Sequence, residues 1–206
     1  MYLPSPEARY TILYSRPNGG DLGKDLSFVL YTIHRCGFNV LVYDYRGYGT
    51  SGGSPTETNA YRDIDAVYNY LVNVRHTVPQ RIIVMGRSLG GGPSVDLAAR
   101  VPTAGLILES TFTSAYRIIW LGYILPTDCF RNIDKIASVR CPVLVMHGRA
   151  DAVVPFSHAL KLFAAANEPK RCAWFDAAGH ENTLRTNYEP YCKALRDFAA
   201  LLDTIQ

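Results

Sequence analysis

"RIIVMGRSLGGGPSVDLAAR", Arg81 to Arg100, runs four apolar residues in succession, places Ser88 between small residues, and then opens a helix at once. Apolar residues on consecutive positions read as a strand covered on both faces, as in a parallel sheet between helical layers. Gly86-Arg87-Ser88-Leu89-Gly90 fits the Gly-x-Ser-x-Gly pattern of a nucleophile elbow, where bulk beside the serine would clash with a sharp strand-to-helix turn. Such a turn exposes the hydroxyl of Ser88. It also puts the backbone N–H of Leu89 at a helix start, where it can stabilise an oxyanion. Gly91 and Gly92 extend the small-residue stretch, and the helix runs to about Arg100, ahead of Pro102. An ordinary glycine turn would look the same over these few residues, so the rest of the chain has to decide.

Working outward, further strand candidates are Tyr10–Ser15, Phe38–Asp44, Gly105–Ser110, Pro142–Gly148 and Arg171–Asp176. Between them lie segments of helical period. Tyr61, Ile64, Tyr68 and Leu71 form one apolar stripe, Tyr191, Leu195, Phe198 and Leu202 another, and Phe156, Leu160 and Phe163 a shorter one. Alternating strands and helices predict an α/β fold with a doubly wound, mostly parallel sheet. The stretch from about 111 to 140 breaks the rhythm, being far above the usual loop length and carrying Trp120, Tyr123 and Phe130. It reads as a short helical lid inserted in a single domain spanning 1–206.

A nucleophilic serine needs a base and an orienting acid. His180, in "DAAGH" just past the last strand candidate, falls on the sheet edge where Ser88 stands. His34 and His76 come at helix ends, His158 reads as a surface residue early in a helix, and His147 as a satisfied structural histidine. Asp151, in the loop after Pro142–Gly148, is in position for the acid; as a turn residue it would be tolerated there in any case. The order Ser88, Asp151, His180 suits three successive loops at one sheet edge. Glu109 is an alternative acid, and Asp44 reads as an anchor of the turn that follows it.

Other chemistries fit less well. No His or Cys spacing suits a metal, and no Lys-Ser/Thr follows the glycines as a phosphate loop requires, so no cofactor is expected. Gly47–Ser54 is glycine-rich but belongs to a loop ahead of a helix. The formal net charge of +3 is small and its Lys and Arg are scattered, which argues against a nucleic-acid partner. Five cysteines without a CxxC pair read as thiols of a reducing compartment. The N-terminus shows no signal-peptide pattern, and no apolar run reaches the ~20 residues of a membrane span.

"VYDYRGYGTSGGSPTE", "GRSLGGGPSVDLAAR", "LESTFTS", "FRNIDKIASVRCPVLVMHGRADAVVPFSHAL" and "AAGH" together resemble the α/β-hydrolase superfamily over nearly the whole chain from Tyr10 onward. The resemblance is to the alpha/beta-hydrolase-domain protein depalmitoylases and to their prolyl-oligopeptidase-like serine peptidase relatives. It implies Ser88 as nucleophile, Asp151 as acid, His180 as base, and the backbone of Leu89 and Asn18 as the oxyanion hole. Two departures stand out. Arg16-Pro17-Asn18 replaces the family's His-Gly-Asn, and proline fixes φ and carries no N–H, which bears on how Asn18 is presented. The chain also starts where the family's third strand starts, so the first two N-terminal strands and the cysteine-rich anchoring segment are expected to be absent.

The expectation is therefore a cytoplasmic serine hydrolase, at membrane surfaces as a peripheral contact, acting on an acylated protein or a small ester or thioester. Palmitoyl-protein thioesterase activity leads. A serine peptidase, or an impaired pseudo-hydrolase serving as a binding module, are the competing readings; the intact order of the three groups speaks against the latter.

Overall fold

The computed structural model describes residues 1–19, 22, 27–115 and 128–205. Seven strands form one sheet: β1 (Tyr2–Leu3), β2 (Thr11–Ser15), β3 (Asn39–Val42), β4 (Ile82–Arg87), β5 (Gly105–Glu109), β6 (Val143–Gly148) and β7 (Lys170–Phe175). Their order is β1-β3-β2-β4-β5-β6-β7, with every neighbouring pair parallel except β1 against β3. Strands β2 to β7 coincide with the six apolar runs of the sequence to within a residue or two. The two-residue β1 is an addition to that reading, too short to carry any pattern.

Helices cover both faces. On one side α2 (Glu57–Asn69) and α3 (Gly91–Arg100) meet Leu13, Val84, Leu106 and Val145 in a single apolar cluster, joined by α4 (Asn132–Lys135) and α5 (Ser157–Ala165). On the other, α1 (Ser27–Arg35) and α7 (Tyr188–Ile205) meet Ile12, Met85, Ile107 and Leu144, with the single turn α6 (Thr183–Thr186) leading into α7. Successive strand residues thus enter opposite cores, which is why β2 to β6 carry apolar residues in succession rather than at alternate positions, whereas the edge strand β7 is exposed at Arg171 and Cys172.

The α7 stripe of Tyr191, Leu195, Phe198 and Leu202 is fully buried as its spacing predicts, each side chain contributing ~2 kcal/mol by leaving water. The Thr56 hydroxyl caps α2 by accepting the N–H of Asn59 at 3.1 Å. The short stripe on α5 is a correction. His158, Ala159 and Leu162 face the core, whereas Leu160 is exposed and Phe156 and Phe163 flank Trp174 edge-on at the sheet's β7 side.

The two described ends of the 111–140 excursion are core, with Phe112, Phe130, Ile136 and Val139 all buried. Trp120 and Tyr123 lie outside the described residues. Among the described residues no helix is long and apolar enough to cross a membrane.

Candidate active site

Parallel strands bring the loops after β4, β5, β6 and β7 to one edge of the sheet, and the site assembles there. Ser88 follows β4 directly with φ +51°, left-handed backbone that a non-glycine residue rarely adopts. Two close approaches hold it so. A Cβ on Gly86 would lie 2.3 Å from the carbonyl oxygen of Gly90, and one on Gly90 would lie 2.0 Å from that of Ser15. The Thr111 hydroxyl, in the loop after β5, donates to the Ser88 carbonyl at 2.7 Å. Ser88 is left half-buried.

His180 is presented by the loop after β7. That loop lies directly on the end of β6, where Ala150 N–H donates to the Ala178 carbonyl at 3.0 Å and Gly148 leaves no room for a side chain. Nε2 of His180 lies 3.1 Å from Ser88 Oγ, and Nδ1 lies 2.8 Å from Asp151 Oδ2. An imidazole bonded to a carboxylate through Nδ1 carries its proton there and offers Nε2 as the acceptor for a hydroxyl proton.

Asp151 is buried in the loop after β6. Its Oδ1 accepts the N–H groups of Val153 and Val154 at 2.9 and 2.8 Å. Burial alone would raise its pKa, but hydrogen bonds from His147, His180 and the Val154 N–H overcome it and hold the carboxyl well below the usual carboxylate range.

His147, expected to be structural, is indeed fully buried, with Nε2 2.9 Å from the Val154 carbonyl. The same nitrogen lies 3.3 Å from Asp151 Oδ2, a contact that sequence reasoning missed. Its spacing of four from Asp151 was the only available signal. Facing a carbonyl and a carboxylate, Nε2 must carry the proton. His158 is a second correction: it is buried, not on the surface, and its Nδ1 accepts the N–H of Thr113 at 3.1 Å.

The rival acid Glu109 is engaged elsewhere. It accepts the Tyr191 hydroxyl at 2.8 Å and pairs with Arg87 at 3.6 Å. Arg87, the variable residue of the Gly-x-Ser-x-Gly pattern, also donates to the His180 carbonyl at 2.8 Å and reaches Glu181 at 3.3 Å. It thereby ties the end of the serine strand to the histidine loop, a role no spacing announced. Asn18 and Leu89, expected to share the oxyanion hole, line one cavity of about 450 Å³ together with Tyr48, Cys129 and Phe130. Asp44, expected to anchor the turn that follows it, instead accepts Arg16 Nη1 at 3.0 Å from the loop after β2.

A mostly parallel sheet between two helical layers is a doubly wound α/β architecture, and the chain belongs to the α/β-hydrolase superfamily. A family model described as "Serine aminopeptidase, S33" matches residues 25–127. "Alpha/beta hydrolase domain-containing protein 17B" of Homo sapiens is 41% identical over 198 residues, 95% of this chain and 68% of that protein. "Alpha/beta hydrolase domain-containing protein 17C" of Mus musculus is 39% identical over 196 residues, 94% of this chain and 61% of that one. Among solved structures, a Pyrococcus furiosus esterase superposes with a TM-score of 0.79 at 18% identity, over 95% of this chain and 82% of its own. A monoacylglycerol lipase of Paleococcus ferrophilus does so at 0.75 and 17%, over 98% of each. At such identities the likeness speaks to the fold.

Proposed function

We propose that the protein is a serine hydrolase that cleaves esters or thioesters through an acyl-enzyme at Ser88, with protein-bound long-chain acyl thioester as its substrate class. The relay from Ser88 Oγ through His180 to Asp151, at 3.1 and 2.8 Å, carries this reading. As Ser88 Oγ attacks the carbonyl carbon, its proton passes to His180 Nε2, and Asp151 stabilises the imidazolium that forms. The N–H groups of Leu89 and Asn18 receive the oxyanion. The tetrahedral intermediate collapses, His180 returns the proton to the departing thiolate or alkoxide, and a water activated by the same nitrogen releases the acid.

In this reading the chain is one catalytic domain, and it works in the cytoplasm where membranes present acylated proteins. A specific observation favours a second reading, peptide hydrolysis: the matching family model is described as a serine aminopeptidase. A series of p-nitrophenyl esters and acyl thioesters separates the two. Each buried CH₂ contributes about 0.8 kcal/mol, so kcat/KM should climb up to about fourfold per methylene between about two and about eight carbons. Alanine at Trp120 or Tyr123 should flatten that slope more than it lowers acetyl-ester turnover. A flat profile with rapid cleavage of short peptide amides would reject the thioesterase and leave the peptidase.

A further inference from the structure

Directly after β2, at the point where the oxyanion loop must turn, the chain buries a guanidinium. Arg16 is only 1% exposed, among the largest fully buried side chains of the protein. Its Nη1 donates to Asp44 Oδ1 at 3.0 Å, and its Nη2 to the carbonyl of Gly19, three residues further along the same loop. The guanidinium carbon stands 5.4 Å from the centre of the Tyr48 ring. The main-chain carbonyl of Arg16 accepts the Tyr45 hydroxyl at 2.9 Å, and the Tyr48 hydroxyl donates to Asn18 Oδ1. Gly19 takes φ +82°, so the turn closes on a residue free to adopt it.

The loop so held abuts the serine turn. Ser15 pairs in register with Gly86, and a Cβ on Gly90 would meet the Ser15 carbonyl at 2.0 Å and the Arg16 carbonyl at 2.8 Å. Any shift of residues 15–16 therefore moves the backbone on which Asn18 and Leu89 face their common cavity. Pro17 cannot contribute an N–H to brace such a turn. A planar fork that spans a carboxylate and a carbonyl can do so from the side-chain side, which a single ammonium cannot.

From this geometry we propose that Arg16 is a positioning residue: clamped between Asp44 and the Gly19 carbonyl, it folds residues 16–19 so that Asn18 presents its N–H to the oxyanion with proline at 17. The inference rests on Ser88 as nucleophile. Buried Arg–Asp pairs often serve the fold alone, and removing one partner then costs stability without touching the chemistry.

Arg16→Lys and Tyr48→Phe, the latter removing only the hydroxyl bonded to Asn18, tell these apart. For each variant, kcat and KM on a medium-chain ester are measured beside Tm and the affinity for an alkyl boronic acid, which mimics the tetrahedral intermediate. Arg16→Lys should lower kcat ~10–100-fold with KM within about threefold, and weaken the boronic acid by a similar factor. Tyr48→Phe should lower both by ~3–10-fold at unchanged Tm. Wild-type kcat and boronic-acid affinity in a folded Arg16→Lys, or a loss confined to KM, would overturn the proposal. If Arg16→Lys does not fold, Tyr48→Phe decides in the same terms. Turnover persisting in Ser88→Ala would instead mark a failure of the nucleophile reading, whatever the Arg16 variants do.

Discussion

Asp151 collects hydrogen bonds on both carboxylate oxygens, from Val153 and Val154 on Oδ1 and from His180 and His147 on Oδ2. Asp151→Asn should keep the fold and lower kcat by about three to four orders of magnitude, because an amide favours the wrong tautomer of His180. Stability should report the same carboxylate. A carboxyl held below its unfolded value of about 3.9 contributes stability above that pH, and loses it as pH falls toward the folded value. The gap in Tm between wild type and Asp151→Asn should therefore narrow from about pH 5 to about pH 3; a gap that stays constant would deny the depression. Ser88, Asp151 and His180 could be picked out as candidates in the sequence because each lies in the turn or loop that follows a strand. His147 and Arg87 could not, since only the packing of one loop on another gives them their partners.

At the scale of elements, the turn from β4 into α3 is set by what cannot fit. Gly90 has ordinary helical backbone, φ −59°, so its need for glycine is purely steric: an added methyl would run into the Ser15 and Arg16 carbonyls. Gly90→Ala should cost ~1–3 kcal/mol in urea unfolding and abolish most esterase activity, as β2 and the serine turn are forced apart. Near-wild-type stability would mean that the two backbones are not in contact. Strands β2 to β6 were legible because burial on both faces leaves consecutive apolar residues, and the edge strand β7 by its Ala173-Trp174-Phe175 run. β1 was not, since Tyr2–Leu3 is too short for a pattern and is strand by its pairing with Val40 and Leu41. The face of α5 was misread for a related reason. Phe156 and Phe163 pack sideways on Trp174 at the sheet edge, while the polar His158 turns inward to satisfy the Thr113 N–H.

For the whole molecule, one sheet between two helical layers explains why residues as far apart as Ser88 and His180 can meet, 92 positions distant in sequence and 3.1 Å apart in space. The meeting of Ser88, Asp151 and His180 was readable because each βα loop emerges at the same edge. The Arg16–Gly19 loop was readable only as a departure from the resemblance, since its clamp comes from Asp44, Tyr45 and Tyr48 on the neighbouring strand's loop. Placing a reactive serine at this edge is the claim on which the rest depends. The most direct measurement is intact-protein mass spectrometry after exposure to an alkyl fluorophosphonate, wild type beside Ser88→Ala at matched Tm. The expected result is a single adduct on the wild type, mapped to Ser88 by peptide fragmentation, and none on the variant. A folded wild type that takes up no adduct, or an adduct that persists in Ser88→Ala, would contradict it.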